Sequence, residues 1–107
     1  MQHISAIELN AWLNDPERAQ PVLLDVREEG EFSICRIEGS ILMPMNTIPS
    51  RIDDLESDAA IVCICHHGSR SMQVANFLER NDFTNISNLT GGVHAWAQHV
   101  DNSMPTY

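Results

Sequence analysis

Hydrophobic positions in this chain follow two patterns that alternate along it. Pro21-Val22-Leu23-Leu24-Asp25-Val26 and Ala59-Ala60-Ile61-Val62-Cys63-Ile64 are short, nearly continuous apolar runs, the pattern of strands buried on both faces. Elsewhere the apolar residues spread to helical spacing. Ser5-Ala6-Ile7-Glu8 has the Ser-x-x-Glu form of a capping box and opens a helix carrying Ile7, Leu9, Ala11, Trp12 and Leu13, which Asp15-Pro16 closes. The polar stretch Glu28 to Phe32 predicts a short helix, and Ile41-Leu42-Met43-Pro44 a short strand. Thr47 is the expected cap of a helix running through Pro49, Ile52 and Leu55. Met72, Val74, Ala75, Phe77 and Leu78 recur at helical spacing and are expected to face a core. Asn85 to Leu89 predicts a last strand, after which Gly91-Gly92 turns the chain into a helix carrying Val93, Ala95 and Trp96. The alternation of strands and helices predicts an α/β fold with a buried, mostly parallel sheet.

The chain has 107 residues, room for one core, and shows no repeat, linker or low-complexity stretch. Residues 1–107 are therefore taken as a single domain. Charge narrows the function more than size does. Six basic residues face 15 acidic ones, for a net charge of −9, and all six are arginines. Schiff-base chemistry needs a lysine, and sequence-independent nucleic-acid binding runs on clustered positive charge, so neither is expected. The acidic excess reads as a solvated surface, or as a dock for a basic partner protein. No apolar run reaches the ~20 residues of a membrane helix, and Met1-Gln2-His3-Ile4-Ser5 lacks the basic and apolar regions of a signal peptide. A cytoplasmic protein, with no membrane partner, is the expectation.

Three cysteines, Cys35, Cys63 and Cys65, are an odd number, and a closed disulfide framework fits them poorly. In a reducing compartment single thiols are structural, metal-binding or catalytic. Cys65 stands where the central strand ends, followed by His66-His67-Gly68-Ser69-Arg70-Ser71 and a helix. Sites in open α/β sheets form at the carboxyl ends of strands. A helix start there offers unpaired N–H groups to an anion, Gly68 lets the backbone turn inward, and Arg70 adds a fixed positive charge. Each element favours a sulfur anion, so one reading of Cys65 is a nucleophile in a small cup built for a sulfur or oxyanion substrate. The other is a buried core cysteine followed by an ordinary loop.

The motifs bear on that choice. Cys65-His66-His67-Gly68-Ser69-Arg70-Ser71 resembles the Cys-x-x-Gly-x-Arg-Ser active-site loop of the rhodanese family of sulfurtransferases. Leu23-Leu24-Asp25-Val26-Arg27-Glu28 with Glu31-Phe32 is similar to the family's Asp-Val-Arg segment and the Glu-Phe after it. Ile37-Glu38-Gly39-Ser40-Ile41 with Pro44, and Leu89-Thr90-Gly91-Gly92-Val93-His94-Ala95-Trp96, resemble two further signatures, in family order. The resemblance implies a single rhodanese-like domain: three layers, with a mostly parallel central sheet of about five strands and helices on both faces. It implies a sulfurtransferase in which Cys65 takes a sulfane sulfur from thiosulfate or a persulfide. The sulfur then passes to a thiol such as glutathione or a thioredoxin-like protein. Amides from His66 to Ser71 would cradle the sulfur, Arg70 would hold the anionic donor, and no cofactor is implied.

The sequence departs from the family where His66 and His67 follow the cysteine, in place of the basic residue that many thiosulfate-using relatives carry there, and where Cys35-Arg36 replaces Gly-His. His66 and His67 read either as groups that tune charge near neutrality or as solvated loop residues. Asp25 and Arg27 end a neighbouring strand and either line the same mouth or form a buried brace, the latter preferred for Asp25. Cys63 reads as an inert core residue, and Cys35 as no second catalytic thiol unless it lies close to Cys65. Cys63-Ile64-Cys65-His66-His67 is a weak zinc signal, and no metal is expected. Two other functions stay open: a persulfide relay or regulatory binding module without turnover, and a cysteine phosphatase or arsenate reductase. Against the last, four residues separate Cys65 from Arg70 where cysteine phosphatases have five, and no Asp stands in an obvious general-acid position.

Overall fold

A computed structural model describes residues 1–107. Five strands, β1 (Gln2–Ile4), β2 (Val22–Asp25), β3 (Ile41–Leu42), β4 (Ile61–Ile64) and β5 (Ile86–Leu89), form one sheet in the order β1-β5-β4-β2-β3. Every neighbouring pair is parallel. The helices are α1 (Ala6–Leu13), α2 (Glu29–Ile34), α3 (Ile48–Arg51), α4 (Ser69–Arg80) and α5 (Gly92–His99).

The continuous apolar runs become strands with both faces covered, because successive side chains of a strand point to opposite sides. Ile61 and Cys63 of β4, with Cys65 beyond it, join a core that includes Leu24, Ile48, Val74, Ala75 and Leu78. Val62 and Ile64 join the opposite core, with Leu9, Trp12, Val93 and Trp96. Thus α3 and α4 cover one face, α1 and α5 the other. The predicted capping box forms at α1: Glu8 N donates to Ser5 Oγ at 3.1 Å and Ser5 N donates to Glu8 Oε1 at 3.0 Å.

Two local expectations need correction, and one strand was not foreseen. The edge strand β1 has no counterpart in the apolar pattern. Thr47 does not cap a helix; its hydroxyl donates to the Pro44 carbonyl at 2.7 Å, its backbone is already helical, and the segment breaks into two single turns flanking α3. Met72 is 40% exposed, because the buried face of α4 runs through Ser71, Val74, Ala75 and Leu78.

The sheet order sets the position of the site. After β4 the chain turns into α4 on one face, whereas after β2 it passes through α2 to Cys35 and Ile37, which pack on the other. Neighbouring parallel strands whose continuations part in this way open a crevice at their carboxyl ends. Cys65 follows the carboxyl end of β4, and Asp25 closes the adjacent β2.

Candidate active site

The loop from Cys65 to Gly68 is held from outside by α5. Val93 N donates to the Cys65 carbonyl at 3.0 Å and His94 N to the His66 carbonyl at 3.1 Å. These bonds satisfy first-turn N–H groups of α5 and draw both loop carbonyls to one side. Gly92 permits the approach: a Cβ there would lie 2.3 Å from the Cys65 oxygen and 2.4 Å from the His66 oxygen.

With those carbonyls tied back, the amides are free for another task. Gly68, at φ +109°, donates its N–H to Cys65 Sγ at 3.0 Å. The amides of His66, His67, Ser69, Arg70 and Ser71 donate to no other protein group, as expected for a loop running into the first turn of a helix. Cys65 is 1% exposed, so its sulfur sits at the floor of this loop. Ser71 Oγ lies 3.2 Å from the sulfur and 2.5 Å from Asn88 Oδ1. A hydroxyl has one proton, so Ser71 donates to only one of the two at a time. Asn88 Nδ2 in turn donates to the Gly68 carbonyl at 3.2 Å, fixing the loop from β5.

Arg70 does not point into an empty mouth. Its guanidinium makes a two-pronged pair with Glu31, Nη1 to Oε1 at 2.7 Å and Nη2 to Oε2 at 2.8 Å. The Arg70 hydrogen bond outweighs partial burial and holds Glu31 at about 2, below its ordinary 4.5, while the same bond pushes Arg70 up. A carboxylate depressed in the fold stabilises it above the unfolded value and loses that contribution as pH falls through the folded one. In thermal melts, the advantage of wild type over Glu31→Gln should be constant between pH 6 and 5, and shrink between about 4.5 and 2. A constant difference down to pH 2 would show that the pair contributes nothing.

Asp25 and Arg27 form a brace, both fully buried. Arg27 Nε donates to Asp25 Oδ1 at 2.9 Å, Nη2 to Asp25 Oδ2 at 2.8 Å, and Nη2 to the Cys35 carbonyl at 2.7 Å. Burial works against the Arg27 charge, but the bonds to Asp25 and Tyr107 and the Asp25 charge outweigh it and leave Arg27 raised. The brace reaches the site indirectly. Arg27 Nη1 donates to Tyr107 Oη at 2.9 Å, and Tyr107 Oη donates to Glu31 Oε2 at 2.9 Å. The Tyr107 ring stacks on His66, centroids 3.9 Å apart and planes 12° apart. Pro105, Thr106 and Tyr107 thus pack over His66, Val93, His94 and Cys35. The loop's other flank opens onto a depression of about 290 Å³ lined by His67, Gly68, Ser69, Met72 and Asn88 among others. Three larger depressions, about 540, 400 and 310 Å³, lie away from Cys65.

The remaining expected residues separate clearly. His67 is exposed and His66 half-buried; burial, then the neighbouring His67, push His66 down. Cys63 is fully buried in mid-strand, and burial with Cys65 beside it pushes its thiol up to about 12. Cys35 packs in the core on the other face of the sheet from Cys65. Sequence reasoning missed Glu31 as the partner of Arg70, and also missed Asn88, His94 and Tyr107. Only Asn88 carried a signal, as a polar side chain inside a segment expected to be a strand.

A rhodanese-like domain model matches residues 5–99. The chain belongs to the rhodanese-like family. It is 31% identical over 99 residues to a sulfurtransferase of Allochromatium vinosum, covering 92% of this chain and 91% of that protein. It is 35% identical over 114 residues to the chloroplastic rhodanese-like/PpiC domain-containing protein 12 of Arabidopsis thaliana. That match covers all of this chain and only 38% of the plant protein. The rhodanese-like domain protein of Staphylococcus aureus, a crystal structure, superposes with a TM-score of 0.84 at 30% identity over 100% of this chain and 99% of that one. The rhodanese-like fold of parallel sheet and flanking helices is therefore the one expected from the sequence, and the family is one with sulfurtransferases among its members.

Proposed function

We propose that this chain is a sulfurtransferase that carries sulfane sulfur as a persulfide on Cys65. The observation that carries the reading is the sulfur at the floor of a loop whose carbonyls are bound to α5 and whose amides bond to nothing else. Preorganised N–H groups stabilise an anion without reorganising when it forms.

With thiosulfate as donor, the Cys65 thiolate attacks the sulfane sulfur. The donor's S–S bond breaks and sulfite departs with its electron pair, leaving a cysteine persulfide anion. With a low-molecular persulfide the leaving group is a thiolate. An acceptor thiolate, such as glutathione or a thioredoxin-like protein, then attacks the terminal sulfur and restores Cys65. No net oxidation of the protein occurs in the cycle. Amides from His66 to Ser71 hold the terminal sulfur, and the Ser71 hydroxyl turns its hydrogen bond from Asn88 to Cys65 Sγ. Arg70 meets the anionic donor by exchanging Glu31 for it.

The test is the intact mass of the reduced chain after thiosulfate or glutathione persulfide, and again after excess thiol. A gain of one sulfur atom that thiol removes is the expected result. No gain from either donor would overturn the reading. Arg70→Ala should slow loading from thiosulfate by roughly 10- to 100-fold, since a hydrogen bond to a charged group contributes about 1.5–3 kcal/mol. Unchanged loading would remove Arg70 from donor binding.

A further inference from the structure

The residues after Cys65 that depart from the family pattern meet a third histidine in the fold. His94, in the first turn of α5, comes against the loop because its own amide bonds to the His66 carbonyl at 3.1 Å. Ring centroids of His66 and His67 are 3.9 Å apart, those of His67 and His94 4.9 Å, and those of His66 and His94 6.0 Å. One ring nitrogen from each lies within 4.8 Å of those of the other two. Tyr107 meets the His66 ring by face-to-face stacking, not through a hydrogen bond to its nitrogens. No ring nitrogen of the three exchanges a hydrogen bond with another protein group. Two of the three rings, His66 and His94, are half-buried, so their unpartnered nitrogens are held beside one another and beside the exposed His67.

We propose that His66, His67 and His94 form a binding site for a late first-row divalent metal ion, with Zn²⁺ a fitting occupant, at the mouth of the Cys65 loop. Imidazole nitrogen suits zinc, copper and nickel. Three protein ligands around Zn²⁺ leave a fourth position open. At the Zn–N length of about 2.0–2.1 Å, tetrahedral ligand atoms stand about 3.3 Å apart, so the rings draw together on binding, and the exposed His67 has the freedom to do so. The cysteine spacing gave no such site, because His94 comes from a different element. The sulfur of Cys65, held below by Gly68 N, is not among the ligands.

The experiment is titration of the reduced chain with Zn²⁺ against a chromophoric chelator, alongside thermal melts with and without the ion. Wild type should take up one Zn²⁺ per chain and melt higher with it. His94→Asn and His67→Asn should each weaken binding by more than about tenfold, since loss of even an outer-shell partner costs about 10- to 100-fold. The variant Cys65→Ser, and the double variant His3→Asn/His99→Asn, should retain wild-type affinity. Absence of stoichiometric binding, binding untouched by His67→Asn and His94→Asn, or binding lost in Cys65→Ser would each overturn the proposal. Melts without zinc establish that His94→Asn is folded; should it unfold, the exposed His67→Asn decides alone. Metal affinity is read without sulfur transfer, so this result and that of the sulfur-loading test are independent.

Discussion

In a Cys65→Ser variant, sulfur loading should fall by at least about a thousandfold while the fold survives. A serine oxygen cannot form the persulfide, and losses on that scale follow removal of a nucleophile even where the rest of a site stays intact. The cup itself should persist. A hydroxyl at this position still accepts the Gly68 N–H, which now reaches the sulfur at 3.0 Å, so stability should change by no more than about 1 kcal/mol. Neither other thiol is placed to substitute. Cys63 is sealed within β4 and its thiol, pushed up to about 12, stays protonated. Cys35 lies across the sheet, with the Arg27 guanidinium 3.8 Å from its sulfur. Intact-mass analysis of folded Cys65→Ser after persulfide treatment is the check. A sulfur gain equal to that of wild type would place the carrier on another residue.

The parts of this molecule that were legible in the sequence are those whose cause is local. Strands β2 and β4 announce themselves because burial on both faces demands continuous apolar residues. Strand β1 does not, since two of its three residues are exposed and only pairing with β5 makes it a strand. The loop from Cys65 to Ser71 was legible for the same local reason: strand end, glycine and helix start are contiguous. What fixes that loop was not. Arg70 meets Glu31 across 39 residues and Tyr107 meets Glu31 across 76, distances over which no spacing rule operates. Periodicity also misplaced Met72, because which stripe of a helix is buried depends on the sheet beneath it. The brace preferred for Asp25 has a local cause: a carboxylate ending a buried strand needs a buried partner, and Arg27, two residues on, pairs with it. The histidines were ambiguous in sequence because their third member lies on another helix.

Gly92→Ala should cost far more stability than an ordinary glycine substitution. An alanine at φ +57° carries the left-handed penalty of about 1–2 kcal/mol. Beyond that, its Cβ would sit 2.3, 2.4 and 2.5 Å from the Cys65 oxygen, the His66 oxygen and the His66 carbonyl carbon. All three are backbone atoms, so no rotamer relieves the overlap and α5 must back away. Retreat breaks the Val93 N and His94 N bonds to the loop, at about 0.5–1.5 kcal/mol each. Together these terms come to about 2–5 kcal/mol, a large share of the 5–15 typical of a domain. Gly39→Ala separates strain from overlap. It has φ +88° but nothing within 4 Å of its Cβ, so it should lose only the backbone term. At about 4–8 °C per kcal/mol for a domain of this size, Gly92→Ala should melt at least about 8 °C below wild type, and well below Gly39→Ala. Equal losses would mean that contact between α5 and the loop adds nothing to the strain. The proposed function depends on the same contact: once α5 releases the Cys65 and His66 carbonyls, the loop is no longer held in the shape that brings the Gly68 N–H to the sulfur. The folded fraction of Gly92→Ala should therefore load sulfur more slowly than that of Gly39→Ala, and a rate per folded molecule equal in the two would sever the link between α5 and the cup.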